Sequence, residues 1–360
     1  MGPVTSVVIA PDSFKGSLDA AQVGECIARG WAEVRPDDEL VVLAQADGGE
    51  GTLDAIASTG AGTLRKVRVD LPTGPHQARW LLTENGTAVI ELAECCGLPL
   101  LGREHPLTAS TRPVGQAVAA ALDAGASRIQ IGIGGSASTD GGAGCLAELG
   151  LAVLDAERRA VGDGGGRLAR AAMIDLGGLR AAPAGGVQLL CDVTASLFGP
   201  TGAAYVFGPQ KGATPAQIEQ LDQTLRHWHA LLGGDADAPG AGAAGGIAYG
   251  LASLWGAELV PGANAVADLT GLAGAVELAE MVITGEGSFD SQSLTGKIPG
   301  HVLDLAGGRT KIVIAGVVSV DLPAVTRYAL AELAGSAEAS MADPCRWLVE
   351  AGRRAAADLT

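Results

Sequence analysis

Two rhythms of apolar and polar positions run along the chain. Short aliphatic runs at 7–10, 39–43, 128–133, 187–191, 281–284 and 311–315 read as strands. The run at 7–10 is apolar throughout and ends at Pro11, as a strand buried on both faces would. Most of these runs alternate with Ala/Leu-rich segments of helical period, the pattern of an α/β protein. Ser17 is placed to cap a helix that reaches Arg29, with Gly30 near its end. Gly48-Gly49-Glu50-Gly51 forms a turn ahead of a short helix at 53–57, and another helix is predicted at 116–124. Between 63 and 92 the rhythm changes. Strands at 65–69, 78–82 and 88–92 follow one another across Thr73-Gly74 and Glu84-Asn85-Gly86, which predicts an antiparallel or mixed sheet. Thr214-Pro215-Ala216-Gln217 combines a cap, a first-turn proline and a capping-box glutamine. His227 and His229 on that helix lie two apart, hence on different faces, and read as solvent-facing rather than as joint metal ligands. The βα rhythm returns after about residue 275. The simplest architecture is a doubly wound α/β domain from 1–62 and 275–360, with a second mixed α/β domain, 63–274, inserted into it.

Composition narrows the class. A length of 360 residues suits about two domains. With 48% hydrophobic and 18% charged residues the chain has ample core material, which argues against disorder. A net charge of −16 repels phosphate backbones and anionic lipid, so neither nucleic acid nor a membrane surface is expected as a partner. An anionic substrate would then need a local positive pocket. Aromatic residues make up only 3% and glycines number 54, so the core packs small aliphatic side chains and the glycines serve turns, close approaches or anion-binding loops. None of the six cysteines forms a CxxC pair, so neither a zinc site nor a disulfide framework is predicted, and a reducing, cytoplasmic location is expected. The adjacent Cys95 and Cys96 read as core residues. The first ten residues lack the basic and apolar regions of a secretory signal. Met1-Gly2-Pro3-Val4-Thr5-Ser6 fits a loose acylation pattern, outweighed by its position leading into a strand. No apolar run is long enough to span a bilayer.

Five polar, Gly-rich segments follow predicted strands: Pro11-Asp12-Ser13-Phe14-Lys15-Gly16-Ser17, Ala46-Asp47-Gly48-Gly49-Glu50-Gly51-Thr52, the stretch from Gly132 to Gly142, Cys191-Asp192-Val193-Thr194, and Thr284-Gly285-Glu286-Gly287-Ser288-Phe289-Asp290-Ser291. Ligands in open α/β sheets bind at the carboxyl ends of strands, so the set suggests one shared crevice. Any single one of these turns also reads as a plain βα connection with a helix cap, and Asp12 or Asp47 equally as a turn or cap residue. Only five lysines stand against nineteen arginines, and Lys15, Lys211 and Lys297 each adjoin a glycine, a setting suited to anions. No P-loop, kinase catalytic-loop or HExxH motif is present. Gly132, Gly134 and Ala137 match the dinucleotide pattern, with Asp155 where a ribose-binding acid would stand, which supports an NAD-dependent hydroxy-acid dehydrogenase as an alternative. The hydroxyls and charge at Ser136, Ser138, Thr139 and Asp140 favour a backbone nest for phosphate or carboxylate oxygens instead.

At these residues the sequence resembles the type-I glycerate kinases. The likeness is carried by Ile9-Ala10-Pro11-Asp12-Ser13-Phe14-Lys15, Ala46-Asp47-Gly48-Gly49-Glu50-Gly51-Thr52, Ile131-Gly132-Ile133-Gly134-Gly135-Ser136-Ala137, Asp140-Gly141-Gly142-Ala143-Gly144, Cys191-Asp192-Val193-Thr194, Phe207-Gly208-Pro209-Gln210-Lys211-Gly212-Ala213, Pro239-Gly240-Ala241-Gly242-Ala243-Ala244-Gly245-Gly246, Thr284-Gly285-Glu286-Gly287, Asp290-Ser291-Gln292-Ser293, Gly296-Lys297 and Ala315-Gly316. These occur in family order across nearly the whole chain. Departures are Ala195 where Asn is common, Pro113 at a Gly position, and Ser288-Phe289 in place of Arg-Ile or Arg-Leu.

The resemblance implies a flavodoxin-like domain with an inserted second domain, and an ATP-dependent kinase acting on D-glycerate in an interdomain cleft with Mg²⁺. The implied product is 2-phosphoglycerate. Phosphoryl transfer needs positioning and charge neutralisation above all. The roles expected are polyphosphate binding by Gly134, Gly135 and Ser136 with Lys211 or Lys297 as cation, Mg²⁺ ligation by Asp192 and Glu286, activation of the attacking hydroxyl by Asp290 or Asp47, and a grip on the glycerate carboxylate by Ser13 with Lys15, Arg112 in reserve. Closure of two domains would exclude water from the transfer. A 3-phosphoglycerate product, a related sugar acid, or a non-catalytic carboxylate-binding protein are the other outcomes, and a monomer or homodimer is expected.

Overall fold

The computed structural model describes residues 4–295 and 297–359. Met1, Gly2 and Pro3 of the acylation pattern, and Gly296 of the Gly296-Lys297 pair, lie outside the described residues. The protein is mixed α/β with parallel sheets, and its chain forms two compact units. The first contains Met1–Asp47, Asp54–Ala61 and Ala263–Thr360; the second contains Gly48–Leu53 and Gly62–Gly262.

The first unit is built on five strands in the order Thr326–Ala329, Thr310–Ala315, Met281–Thr284, Ser6–Ile9, Glu39–Val42, each pair of neighbours parallel. The unbroken apolar runs follow from this arrangement. Val7 and Ile9 pack with Val23, Ile27, Trp31 and Leu348. Val8, pointing to the other face, packs with Ala263, Ala267, Leu272 and Val302. The first helix spans Ala20–Ala32 and is capped by Asp19, not Ser17, in a capping box with Gln22. Ser17 is excluded because the amides of Ser17 and Leu18 both donate to the carbonyl of Phe14, closing a tight turn before the helix can begin.

This helix packs on the last one, Pro344–Ala357. A Cβ at Gly30 would lie 1.9 Å from the Val349 carbonyl oxygen, so only glycine permits the approach. Contrary to the cysteine spacing, Cys26 and Cys345, 319 residues apart, form a disulfide between these two helices. The pattern of cysteines along the chain thus carries no information about compartment. Cys95, Cys96 and Cys145 are buried free thiols. We expect Cys345→Ser to lower the unfolding free energy by about 2–4 kcal/mol, read from denaturant midpoints. Wild-type protein in strong reductant should match the variant, and a midpoint insensitive to both would mean that the bond contributes nothing in solution.

The second unit carries six strands in the order Glu258–Val260, Val187–Leu190, Arg128–Gly132, Thr87–Glu91, Gly74–Thr83, Gly62–Leu71. The first four are parallel and the last three form an antiparallel meander. Thr214 caps the helix Pro215–Leu232 and exchanges bonds with Gln217. His227 and His229 are half-buried rather than solvent-facing. The His227 ring lies 2.6 Å from the Ala171 carbonyl and His229 3.1 Å from the Tyr249 hydroxyl, because the helix sinks Leu221, Leu225 and Trp228 into the unit and draws their neighbours inward. No helix among the described residues is long and apolar enough to cross a membrane.

Candidate active site

In the first unit the segments that leave the carboxyl ends of parallel strands surround a cavity of about 370 Å³. Asp12, Ser13, Lys15 and Ser17 follow the strand Ser6–Ile9. Glu286, Ser288 and Asp290 follow Met281–Thr284, and Gly316 and Val317 follow Thr310–Ala315. The segments are stitched together by main-chain bonds. The Asp12 amide donates to Gly285 O at 2.9 Å, and the Gly316 and Val317 amides donate to Glu286 O and Gly287 O, each at 3.1 Å. Gly285 is obligatory, since a Cβ there would lie 1.7 Å from Ile314 O. Main chain fixed in this way turns the intervening side chains toward one space.

Charge in the cavity is densely mixed. Glu286 is buried; its Oε2 lies 3.6 Å from the Lys297 ammonium, and its Oε1 is buried with no hydrogen-bond partner. The Ser13 amide donates to Asp12 Oδ1 at 2.6 Å. Burial, and then the nearby Asp47 carboxylate, push the Asp12 carboxyl up to about 6, against the pull of the Ser13 amide and Lys15, with Glu286 adding to the rise. Asp290 Oδ1 accepts from the Gln292 and Ser293 amides at 2.8 and 3.3 Å and so holds the turn that follows. Its Oδ2 has no partner among the described residues.

Ser13, Lys15, Glu286, Asp290 and Lys297 thus share one cavity, and Asp47 acts electrostatically on its edge through Asp12. The remaining candidates belong to the second unit. There the Gly134 amide donates to Gly48 O at 3.2 Å, and Gly135 O accepts from the Leu98 amide at 2.8 Å. Ser136 is buried, with its hydroxyl 3.2 Å from that of Ser138. Lys211 is buried and donates to Ser138 O at 2.5 Å; burial draws its ammonium down to about 8, which the neighbouring Asp140 opposes. Asp140 is buried as well and accepts from the Thr111 amide at 2.8 Å and from the Gly142 and Gly144 amides at 3.2 and 3.3 Å.

Arg112 donates from Nε to Asp163 at 2.8 Å and from Nη1 to Glu148 at 2.7 Å. Pro113 sits in the first turn of the helix Arg112–Asp123, a position that suits proline. Asp192 is exposed just after the strand Val187–Leu190. Asp155, the acid of the dinucleotide reading, accepts from the side chains of Arg159 and Arg170 and from the Glu157 and Arg159 amides.

The residue that sequence reasoning left outside the site is Asp12. It could have been found, for it lies between Pro11 and Ser13 in a segment already singled out. The far wall of the cavity, from Leu330, Ala337, Ser340, Met341 and Pro344, carries no chemical signature that a sequence reading could detect.

Comparison with known proteins converges on one family. A model of the glycerate kinase family matches residues 7–360. The chain is 41% identical to the glycerate 2-kinase of Escherichia coli K12 over 336 residues, covering 90% of this chain and 88% of that protein. It shares the same identity, length and coverage with the glycerate kinase of Bacillus subtilis 168. A crystal structure from Salmonella typhimurium LT2, provisionally assigned as glycerate kinase 2, superposes with a TM-score of 0.85 at 38% identity, covering 99% of this chain and 98% of that one. A likeness this complete in both sequence and fold means that the chain belongs to the glycerate kinase family.

Proposed function

We propose that the protein transfers the γ-phosphoryl group of ATP to D-glycerate and forms 2-phosphoglycerate. The observation that carries this reading is the cavity of the first unit. In a chain of net charge −16 it places two lysines beside carboxylates at the carboxyl ends of parallel strands. Lys15 and the Ser13 hydroxyl bind the glycerate carboxylate, and Lys297 neutralises phosphate oxygens. Arg112, held by Glu148 and Asp163, has little freedom for a carboxylate contact. Gly134, Gly135, Ser136 and Lys211, which the family likeness offers for nucleotide phosphate, are bonded to neighbours within the second unit.

Asp12 takes the proton from the attacking hydroxyl. It stands next to the residues that grip the substrate, and a carboxylate more basic than usual accepts a proton near neutrality more readily. Asp47 keeps it basic, and Asp290 orders the turn that forms the rim of the cavity, with its free oxygen as a second candidate acceptor.

The side chains fit a divalent cation. The buried Glu286 Oε1, which has no hydrogen-bond partner, supports a cation at this place. No group of three or more His, Cys, Asp or Glu side chains suited to a metal occurs among the described residues. Mg²⁺ usually takes one or two carboxylates and fills its shell with water and phosphate oxygens. Glu286 would hold it, and the ion would offset the charge of the transferring phosphoryl group.

Phosphorus NMR of the protein with ATP, Mg²⁺ and D-glycerate tests the reading. A phosphomonoester matching 2-phosphoglycerate is expected. A 3-phosphoglycerate signal would overturn the regiochemistry, and no phosphoester from folded protein would overturn the substrate.

A further inference from the structure

The cavity of the first unit is larger than its proposed acid substrate requires. Every carbon of glycerate bears oxygen, so the acid gains nothing from an apolar wall. At about 370 Å³ the space falls in the range of ~300–1,000 Å³ that takes drug-sized ligands. Its surface divides by origin. The loops after the strands supply Lys15, Glu286 and Lys297. The C-terminal helices and the segment after Thr310–Ala315 supply Val317, Met341 and Pro344. Met341 is 68% exposed and Val317 39%, large apolar side chains left open to water beside a charged site. Exposed apolar surface of this kind gains free energy when a ligand covers it. A thioether also packs well against a flat aromatic ring.

We infer that the apolar half of this cavity, formed by Val317, Met341 and Pro344, receives the base of a purine nucleoside triphosphate whose phosphate chain runs toward Lys297. The inference rests on the kinase reading above and deepens it. It locates the base in the first unit rather than at the Gly-rich segment of the second. In that segment the Gly134 amide already donates to Gly48 O, and the Ser136 hydroxyl and the Lys211 ammonium each hold a partner at Ser138 in the same unit. A base lying across Met341 and Pro344 brings apolar cover to the wall and leaves its anionic tail beside Lys297, so each half of the ligand meets its chemical complement.

Calorimetric titration of the full-length protein with a non-hydrolysable ATP analogue and, separately, with inorganic tripolyphosphate tests this. Met341→Asn and Val317→Gln both alter exposed side chains and should fold normally. Each should weaken the analogue about tenfold, the loss of a partly buried apolar contact. Tripolyphosphate affinity and the KM for glycerate should stay within twofold of wild type. An azido-adenine photolabel should be recovered on the peptide containing Met341. Analogue affinity unchanged in both variants, or a photolabel confined to the second unit, would overturn the inference and leave the kinase reading intact. Wild-type protein that bound neither nucleotide nor tripolyphosphate and formed no phosphoester would overturn both.

Discussion

Asp12→Asn is expected to lower kcat by about 10²–10⁴-fold, the range lost when a general base is removed, and at the same time to make the protein more stable. Both effects have one cause. Burial and the Asp47 carboxylate raise the Asp12 carboxyl from 3.8 to about 6 in the folded protein. Between those values the native state keeps a proton that the unfolded chain has released, so stability falls as pH rises through this window. Above about pH 6 the whole cost of the buried charge is present. Asparagine removes the charge and can still accept from the Ser13 amide through Oδ1. A gain of about 1–3 kcal/mol at pH 7 follows, and it should vanish below pH 4. The comparison belongs in chelator, so that no cation offsets the carboxylates. Active sites commonly trade stability for chemistry in this way. A variant with near wild-type turnover would remove Asp12 from the role of base. A variant that is inactive but no more stable would mean that the charge is not a burden to the fold.

Glu286→Gln should weaken the divalent cation at least tenfold and reduce kcat by about 10²-fold, since the cation it holds offsets charge on the transferring phosphoryl group and stabilisation of that kind contributes on this order. The structural cost should be small. The Glu286 side chain makes one ion pair, at 3.6 Å to Lys297, and no hydrogen bond through its buried Oε1. Its main-chain oxygen, which binds the Gly316 amide, is untouched by the substitution. Titration with Mn²⁺ in place of Mg²⁺, followed by electron paramagnetic resonance in the absence of ATP, measures the site without reference to turnover. Equal Mn²⁺ affinity in wild type and variant would exclude Glu286 as a ligand.

Features decided within a few residues were legible in the chain. The capping box of Thr214 and Gln217 closes across three residues and appears as expected. The antiparallel meander between Gly62 and Glu91 follows from consecutive strands joined by tight turns. Ser17 shows the limit of local reading. Two polar residues two apart are both chemically fit to cap, and the turn closed on Phe14 selects Asp19.

Contacts across long stretches of sequence decided the rest. Arg112 is indistinguishable by type from a carboxylate-binding arginine. Its neutralisation comes from Glu148 and Asp163, 36 and 51 residues away. The disulfide joins cysteines 319 residues apart.

By itself, then, the sequence determined the strand and helix rhythm, the local caps and turns, and the family, because periodicity, capping and motif order are written along the chain. Only the tertiary structure decided which charges share a cavity, which pair with one another, that Asp12 is held more basic than an ordinary carboxyl, and that apolar residues of the C-terminal helices line the same cavity. The physical reason is that burial and electrostatic coupling depend on distances through space, which folding sets and residue order alone does not express.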